Sequence, residues 1–372
     1  MIVKINKKSI AISAPIMLIL ILIMICGCQH HSFLASVTNG VSDPEAITAG
    51  TDGNLWCTDG DKIGKISPKT GKMIEYNLPD TTVTSKTTVT SSDDEGSMWL
   101  LGADGVFYNT IISGPDGNLW FTGDGIGKIS PQNGKVTRYD IPTANANPVD
   151  IAVGADGNLW FTENHGKIGE IASKTGKVTE YPVPNPIAYL GTITAGPDGN
   201  LWFTEIMANK IGKISPYTGN VTEYNIPTFD GYPGGITAGP DGNVWFTKGY
   251  NIDKISPATG VITEYSIPSA PALGPITVGP DGNLWFITGI GIGKISPATG
   301  VITNLYSISD EKYYTCNSIT AGPDGNIWFI ETSGFSPVYH DFSTPVGYKI
   351  GKINPKTGIV SEFPPVLFNH NP

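Results

Sequence analysis

The sequence predicts an all-β chain folded as a β-propeller, and three observations carry that prediction. A phrase of the form Gly-Pro-Asp-Gly-Asn-Leu-Trp-Phe recurs seven times, with cores at 52–56, 116–120, 156–160, 198–202, 241–245, 281–285 and 324–328. Most copies fall 40 to 43 residues apart. Each is followed by a variant of Lys-Ile-Gly-Lys-Ile-Ser-Pro, a Thr-Gly turn and Val-Thr-Glu-Tyr-x-Ile-Pro. A period near 42 residues made of short β-type runs is one four-stranded blade per repeat.

The copy at 193–227 shows the elements in order. Residues 193–196 (Ile-Thr-Ala-Gly) make a short inner strand of small residues, suited to the crowded centre of a ring. Pro197-Asp198-Gly199-Asn200 is turn chemistry: proline presets φ, glycine accepts positive φ, and Asp or Asn bonds nearby backbone. The second strand, 201–205, alternates, with Trp202 and Thr204 on one face and Leu201 and Phe203 on the other. The third strand is 210–216, Tyr217-Thr218-Gly219 turns, 221–224 is the outer strand, and Pro227 stops it. Blades bury both faces against neighbours, which explains an aromatic in every second strand. A turn centred near Thr218 places Lys213 opposite Glu223. The same offset pairs Lys65 with Glu75, Lys254 with Glu264 and Lys352 with Glu362, as exposed edge pairs worth roughly 0.2–1 kcal/mol each.

One interval is longer. Trp56 and Trp120 are 64 residues apart, and a degenerate copy with Trp99 lies between them at 88–109. It reads as three strands with the outer strand missing. Seven complete repeats plus this truncated one are therefore read as an eight-bladed ring in preference to a seven-bladed one.

Outside the repeats, Lys4, Lys7 and Lys8 precede an apolar run from 10 to 25, the charge and length pattern of a secretory signal. The run ends Ile25-Cys26-Gly27-Cys28, which resembles a lipoprotein signal-peptidase box with small Gly27 before Cys28. This divides the chain into a signal peptide at 1–27, a lipidated Cys28 opening a tether at 28–42, and a propeller at 43–372. The expected location is outside the cytoplasm, held to a membrane by the lipid. Cleavage removes three lysines and no acids, taking the formal charge from −10 to −13. An acidic surface repels nucleic acid, so no nucleic-acid partner is expected. The 46 glycines and 29 prolines reflect turns repeated around a ring, because aromatic and β-branched residues recur in register. Cys57 and Cys316 belong to the first and last repeats, which meet in a closed ring, so either a bond or two free thiols is open. Their spacing makes no cysteine zinc site.

The repeated phrase Ile-Thr-Ala-Gly-Pro-Asp-Gly-Asn-Leu-Trp-Phe-Thr-Glu with its Lys-Ile-Gly-Lys-Ile-Ser-Pro continuation closely resembles the virginiamycin B lyase (streptogramin lyase) family, over about 44–364. The resemblance implies a propeller that opens a cyclic depsipeptide antibiotic by carbon–oxygen elimination, with Mg²⁺ assisting. A base removes an α-proton while the metal stabilises developing negative charge. It also implies a last blade beginning Glu-Pro-His-Gly-Ile, which supplies a metal-linked Glu and the base His. Here that stretch is Thr315-Cys316-Asn317-Ser318-Ile319, and neither Thr315 nor Asn317 titrates usefully near neutral pH. The family's substrate-contacting Pro-His-Ala-Ile is here Leu273-Gly274-Pro275-Ile276. Its second metal-linked Glu aligns with Thr332, one place after Glu331, and a one-residue shift would bring Glu331 into that role. The family's catalytic motif is thus unmatched.

Entries to inner strands and exits of second strands share one end of the ring, where the family keeps its chemistry. Expected on that end are Glu45, Asp59, Asp124, Asp150, Glu163, His165, Glu205, Lys248, Asn317, Glu331 and His340. Glu163 and His165 are the candidate catalytic pair, and a ring of carboxylates could hold a divalent cation through oxygen ligands. The bland alternative is solvated loop residues, four of which continue the repeat phrase. Two functions from different classes follow. One is a small-molecule or protein ligand bound on the loop face with no cofactor required. The other is a Mg²⁺-dependent lyase acting on type B streptogramins.

Overall fold

The computed structural model describes residues 44–59, 62–78, 110–123, 125–229, 231–267, 271–272, 274–306, 308, 314–333 and 348–363. The signal peptide, Cys28, the tether, Trp99, Asp124 and His340 lie outside the described residues. Those described form seven four-stranded antiparallel sheets, each built from consecutive strands in chain order. The blades span 44–77, 111–139, 148–182, 190–225, 233–266, 276–306 and 314–363.

The ring closes with seven. The Trp-bearing face of each blade packs on the Phe-bearing face of the next, as Trp160 and Ile168 pack on Leu201 and Phe203. Trp328 and Ile330 of blade 7 meet Leu55 and Cys57 of blade 1 in the same way. Ile47 N–H of blade 1 donates to the Ser318 hydroxyl of blade 7 at 3.1 Å. Trp56 and Ile63 of blade 1 pack directly on Ile111 and Phe121 of blade 2. No blade stands between those two, so the eight-bladed expectation gives way to seven, and 79–109, on which it rested, lies outside the described residues. No disulfide joins Cys57, which is buried, to Cys316, which is half-buried.

The repeated phrase is blade construction. Asp198 Oδ1 accepts the Trp202 indole N–H at 2.9 Å, while Oδ2 accepts the Asn200 side-chain amide at 2.8 Å. Trp202 then stacks on Tyr224, centroids 5.5 Å apart, with Lys213 Nζ over the indole at 5.1 Å. The seven described tryptophans are fully buried and donate to the aspartate four residues earlier. The glycine of Lys-Ile-Gly-Lys is equally local in cause. A Cβ on Gly212 would stand 2.2 Å from the Phe203 ring, so only glycine lets that ring lie flat on the third strand.

The outer hairpin corrects the expected pairing. Lys213 lies opposite Thr222, and Glu223 lies opposite Gly212. The turn is closed by Gly219 N–H to Ser215 O at 2.9 Å, with Gly219 at φ 70°, which sets the register one residue from a turn centred on Thr218. A one-residue slip exchanges faces. Lys213 therefore pairs with Asp198 at 3.7 Å, and Glu223 pairs with Lys210 at 2.5 Å. The same holds elsewhere: Lys65 with Asp52, Lys254 with Asp241 and Lys352 with Asp324, while Glu75, Glu264 and Glu362 take Lys62, Lys248 and Lys349.

Candidate functional site

In an up-and-down blade, the second-to-third loop and the link to the next blade emerge at the same end. Backbone hydrogen bonds join these loops from blade to blade. Asn164 N–H donates to Asn147 O at 3.2 Å, and Ile206 N–H to Tyr189 O at 3.0 Å. Asn209 Nδ2 reaches Thr228 O at 3.1 Å, Ala272 N–H reaches Gly249 O at 2.6 Å, and Gly289 N–H reaches Pro271 O at 3.0 Å. On this continuous rim Ile187, Tyr189, Met207, Phe229, Tyr250 and Ile290 are exposed. The non-glycine residues with left-handed backbone among those described are Asn145, Asn147, Tyr189 and Asn209, all in these loops. Tyr189, at φ 44°, is the costly one, since an aromatic side chain there strains by about 1–2 kcal/mol. An apolar rim carrying held strain is a surface built for contact.

The expected site residues do not converge. Glu163 and Glu205 end their second strands and Glu331 lies two residues before the end of its own, all three fully buried with no hydrogen-bond partner on either carboxylate oxygen. Burial, then the neighbouring Glu180, pushes Glu163 up to about 7 against the pull of Lys167. Burial and Glu223 do the same to Glu205, and burial and Glu362 to Glu331, each to about 7. Of the candidate catalytic pair, His165 is exposed and Glu163 is fully buried. Lys248 is buried between Glu264 Oε1 at 3.1 Å and Asp253 at 3.7 Å.

Asp150 has a structural position. Its oxygens accept the Ile151 N–H and, from the next blade, the Ile193 N–H, both at 2.8 Å, tying two inner strands together. Burial raises it to about 6 despite those two bonds. Glu45 is buried on the inner strand of blade 1. Asp59 ends a second strand opposite Lys62, and its side chain lies outside the described residues. Asn317 sits, half-buried, at the bulge between Cys316 and Ser318.

Two features escaped sequence reasoning. One is the Glu–Lys–Glu set in each of three blades, its second-strand glutamate fully buried, signalled only by that glutamate at the fifth position of the strand phrase and a Lys-Glu pair across the next hairpin. The other is the exchange in blade 5, where Lys248 and Asp253 stand at the positions of Glu205 and Gly212. Both changes were visible in one repeat, but their adjacency needed the register.

A Mg²⁺ ion requires several hard oxygen ligands around one point. In blade 7 Glu331 faces Cys316 on one side and Lys349 on the other across the strands. Burial, then the charge of Glu331, pushes the Cys316 thiol well up. Among the described residues no three His, Cys, Asp or Glu side chains close on a common point. Among the described residues the expected carboxylates therefore form no cation ring. The residues present do not fit the metal.

The seven four-stranded sheets make the chain a seven-bladed β-propeller by class. The chain belongs to the virginiamycin B lyase family, whose family model matches residues 100–335. It is similar to a streptogramin B lyase structure, at 32% identity and TM-score 0.65, over 79% of this chain and 92% of that one. The virginiamycin B lyase of Staphylococcus aureus is similar at 32% identity and TM-score 0.64, over 78% of this chain and 92% of the enzyme. A catalytically inactive histidine-to-alanine variant of virginiamycin B lyase from S. aureus, solved with quinupristin, matches at 32% identity and TM-score 0.65, over 79% and 93% of the two chains. None of the curated protein sequences matches the chain.

Proposed function

We propose that this chain is an extracytoplasmic, lipid-anchored member of the family that binds a small-molecule or protein ligand on its loop face without the family's elimination chemistry. The observation that carries this reading is the inner strand of blade 7. Where the resemblance calls for Glu and His, the chain has Thr315 and Asn317, and the Cys316–Glu331 pair beside them offers a thiol held protonated and a carboxyl already flanked by Lys349. Such a set lacks the histidine base and the metal-linked glutamate that the resemblance calls for at Asn317 and Thr315. The exposed rim from Ile187 to Ile290 favours an apolar or aromatic contact. Export and anchoring rest on Lys4, Lys7 and Lys8, the apolar run and Cys28. The second reading, a Mg²⁺-dependent lyase, draws on the 32% identity to working lyases. Incubation with a type B streptogramin and Mg²⁺ separates the two by chromatography and fragmentation of the product, because elimination opens the ring without changing its mass.

A further inference from the structure

Two of the buried glutamates sit beside a lysine that is already engaged. In blade 3, Glu163 lies opposite Lys167, whose Nζ donates to Glu180 Oε2 at 3.3 Å and to the Thr143 hydroxyl. In blade 4, Glu205 lies opposite Lys210, whose Nζ donates to Glu223 Oε2 at 2.5 Å. Neither Glu163 nor Glu205 receives a hydrogen bond on either oxygen, and Glu223 Oε1 is buried without a donor as well. A fully buried glutamate with no donor on either oxygen, beside a second carboxylate that has taken the neighbouring lysine, is an arrangement that native proteins avoid. Blade 5 resolves it with a different residue: Lys248 occupies the position of Glu205 and donates to Glu264 Oε1 at 3.1 Å. Where the residue at that position is a glutamate, the donor it can bring is its own acid proton.

We infer that Glu163 and Glu205 are protonated in the native fold and donate that proton to Glu180 and Glu223, forming two proton-binding sites beneath the loop face. The charged groups facing Glu163 are Glu180 and Lys167, and those facing Glu205 are Glu223 and Lys210. Each proton exchanges with solvent, leaving a carboxylate, and no other bond changes. Burial and the paired glutamate put both groups at about 7, against 4.5 for an ordinary glutamate. Between those values the folded chain binds more protons than the unfolded one, so stability falls as pH rises and levels off above neutrality. Glu180 also accepts the Thr143 N–H at 3.1 Å. Loss of the shared proton therefore acts on the 140–147 link, which carries the left-handed Asn145 and Asn147.

The test is urea unfolding of the full-length chain in detergent, from pH 5 to pH 8, beside the double variant Glu163→Gln, Glu205→Gln. Glutamine mimics the protonated acid and does not titrate. The two proteins are expected to match at pH 5. By pH 8 the wild-type unfolding constant should have risen relative to the variant by on the order of fiftyfold per site. A difference that stays constant with pH, or a variant weakened equally at pH 5, overturns the assignment. Should the variant fail to fold, carboxyl-carbon NMR of the wild type decides. Glu331 also stands at about 7, so three glutamates titrating near neutrality support the two sites, and fewer than three overturn them.

Discussion

At the residue scale, the Asp-Gly-Asn-Leu-Trp phrase names its own chemistry only once the indole is seen. The sequence shows a turn followed by an aromatic; it does not show that Asp198 reaches four residues ahead to hold Trp202. Replacing Asp198 with alanine leaves a buried indole N–H unpaired and frees Lys213, with an expected loss of roughly 1–3 kcal/mol in urea unfolding. Burial would raise these aspartates, yet the indole and Asn bonds outweigh it and hold Asp116, Asp198, Asp241, Asp281 and Asp324 below the ordinary range. Their folded values lie below 3.8, so their contribution is complete above that pH and is lost as pH falls further. Acid unfolding on that limb should soften in proportion to the number of aspartates replaced. Glu163 and Glu205 were legible as residues of the loop end, but not as buried ones. Alternation assigns a side chain to a face and says nothing of what covers that face.

At the element scale, strand order and length could be read almost directly, because each turn announces itself with Gly, Pro, Asp or Asn. The hairpin register could not. The closing bond from Gly219 to Ser215 shifts the pairing by one residue, and the complementary charges at Lys213 and Glu223 suggested the wrong partners. A double-mutant cycle distinguishes the arrangements: Lys210 and Glu223 should couple by about 0.2–1 kcal/mol, and Lys213 and Glu223 should not couple measurably. Coupling confined to the Lys213 pair would contradict the observed register. The loop rim was legible only as a location. Its strain at Tyr189 and its exposed apolar residues depend on how six loops lean on one another.

At the scale of the whole molecule, the repeat predicted a ring but miscounted its blades. A Trp-bearing segment looks like a blade in sequence whether or not the ring has room for it. Blade 1 packs on blade 2 through Trp56, Ile111 and Phe121, and on blade 7 through Cys57, Trp328 and the Ile47–Ser318 bond. Replacing 80–108 with a flexible Gly-Ser linker should therefore leave a cooperative unfolding transition in place, and its loss would give that segment a part in holding the ring. The same packing separates scaffold from catalyst. Seven Trp-centred blades are complete, while the inner strand of blade 7 carries Asn317 and Thr315 where the family resemblance implies a base and a metal-linked acid. The measurement that bears most directly on this claim is the rate at which the chain linearises a type B streptogramin with Mg²⁺, followed by chromatographic separation and fragmentation of the product, which is isobaric with the intact ring. The account predicts an intact macrocycle and a rate no greater than the blank. Metal-dependent linear product above the blank, abolished by His165→Ala, would contradict it.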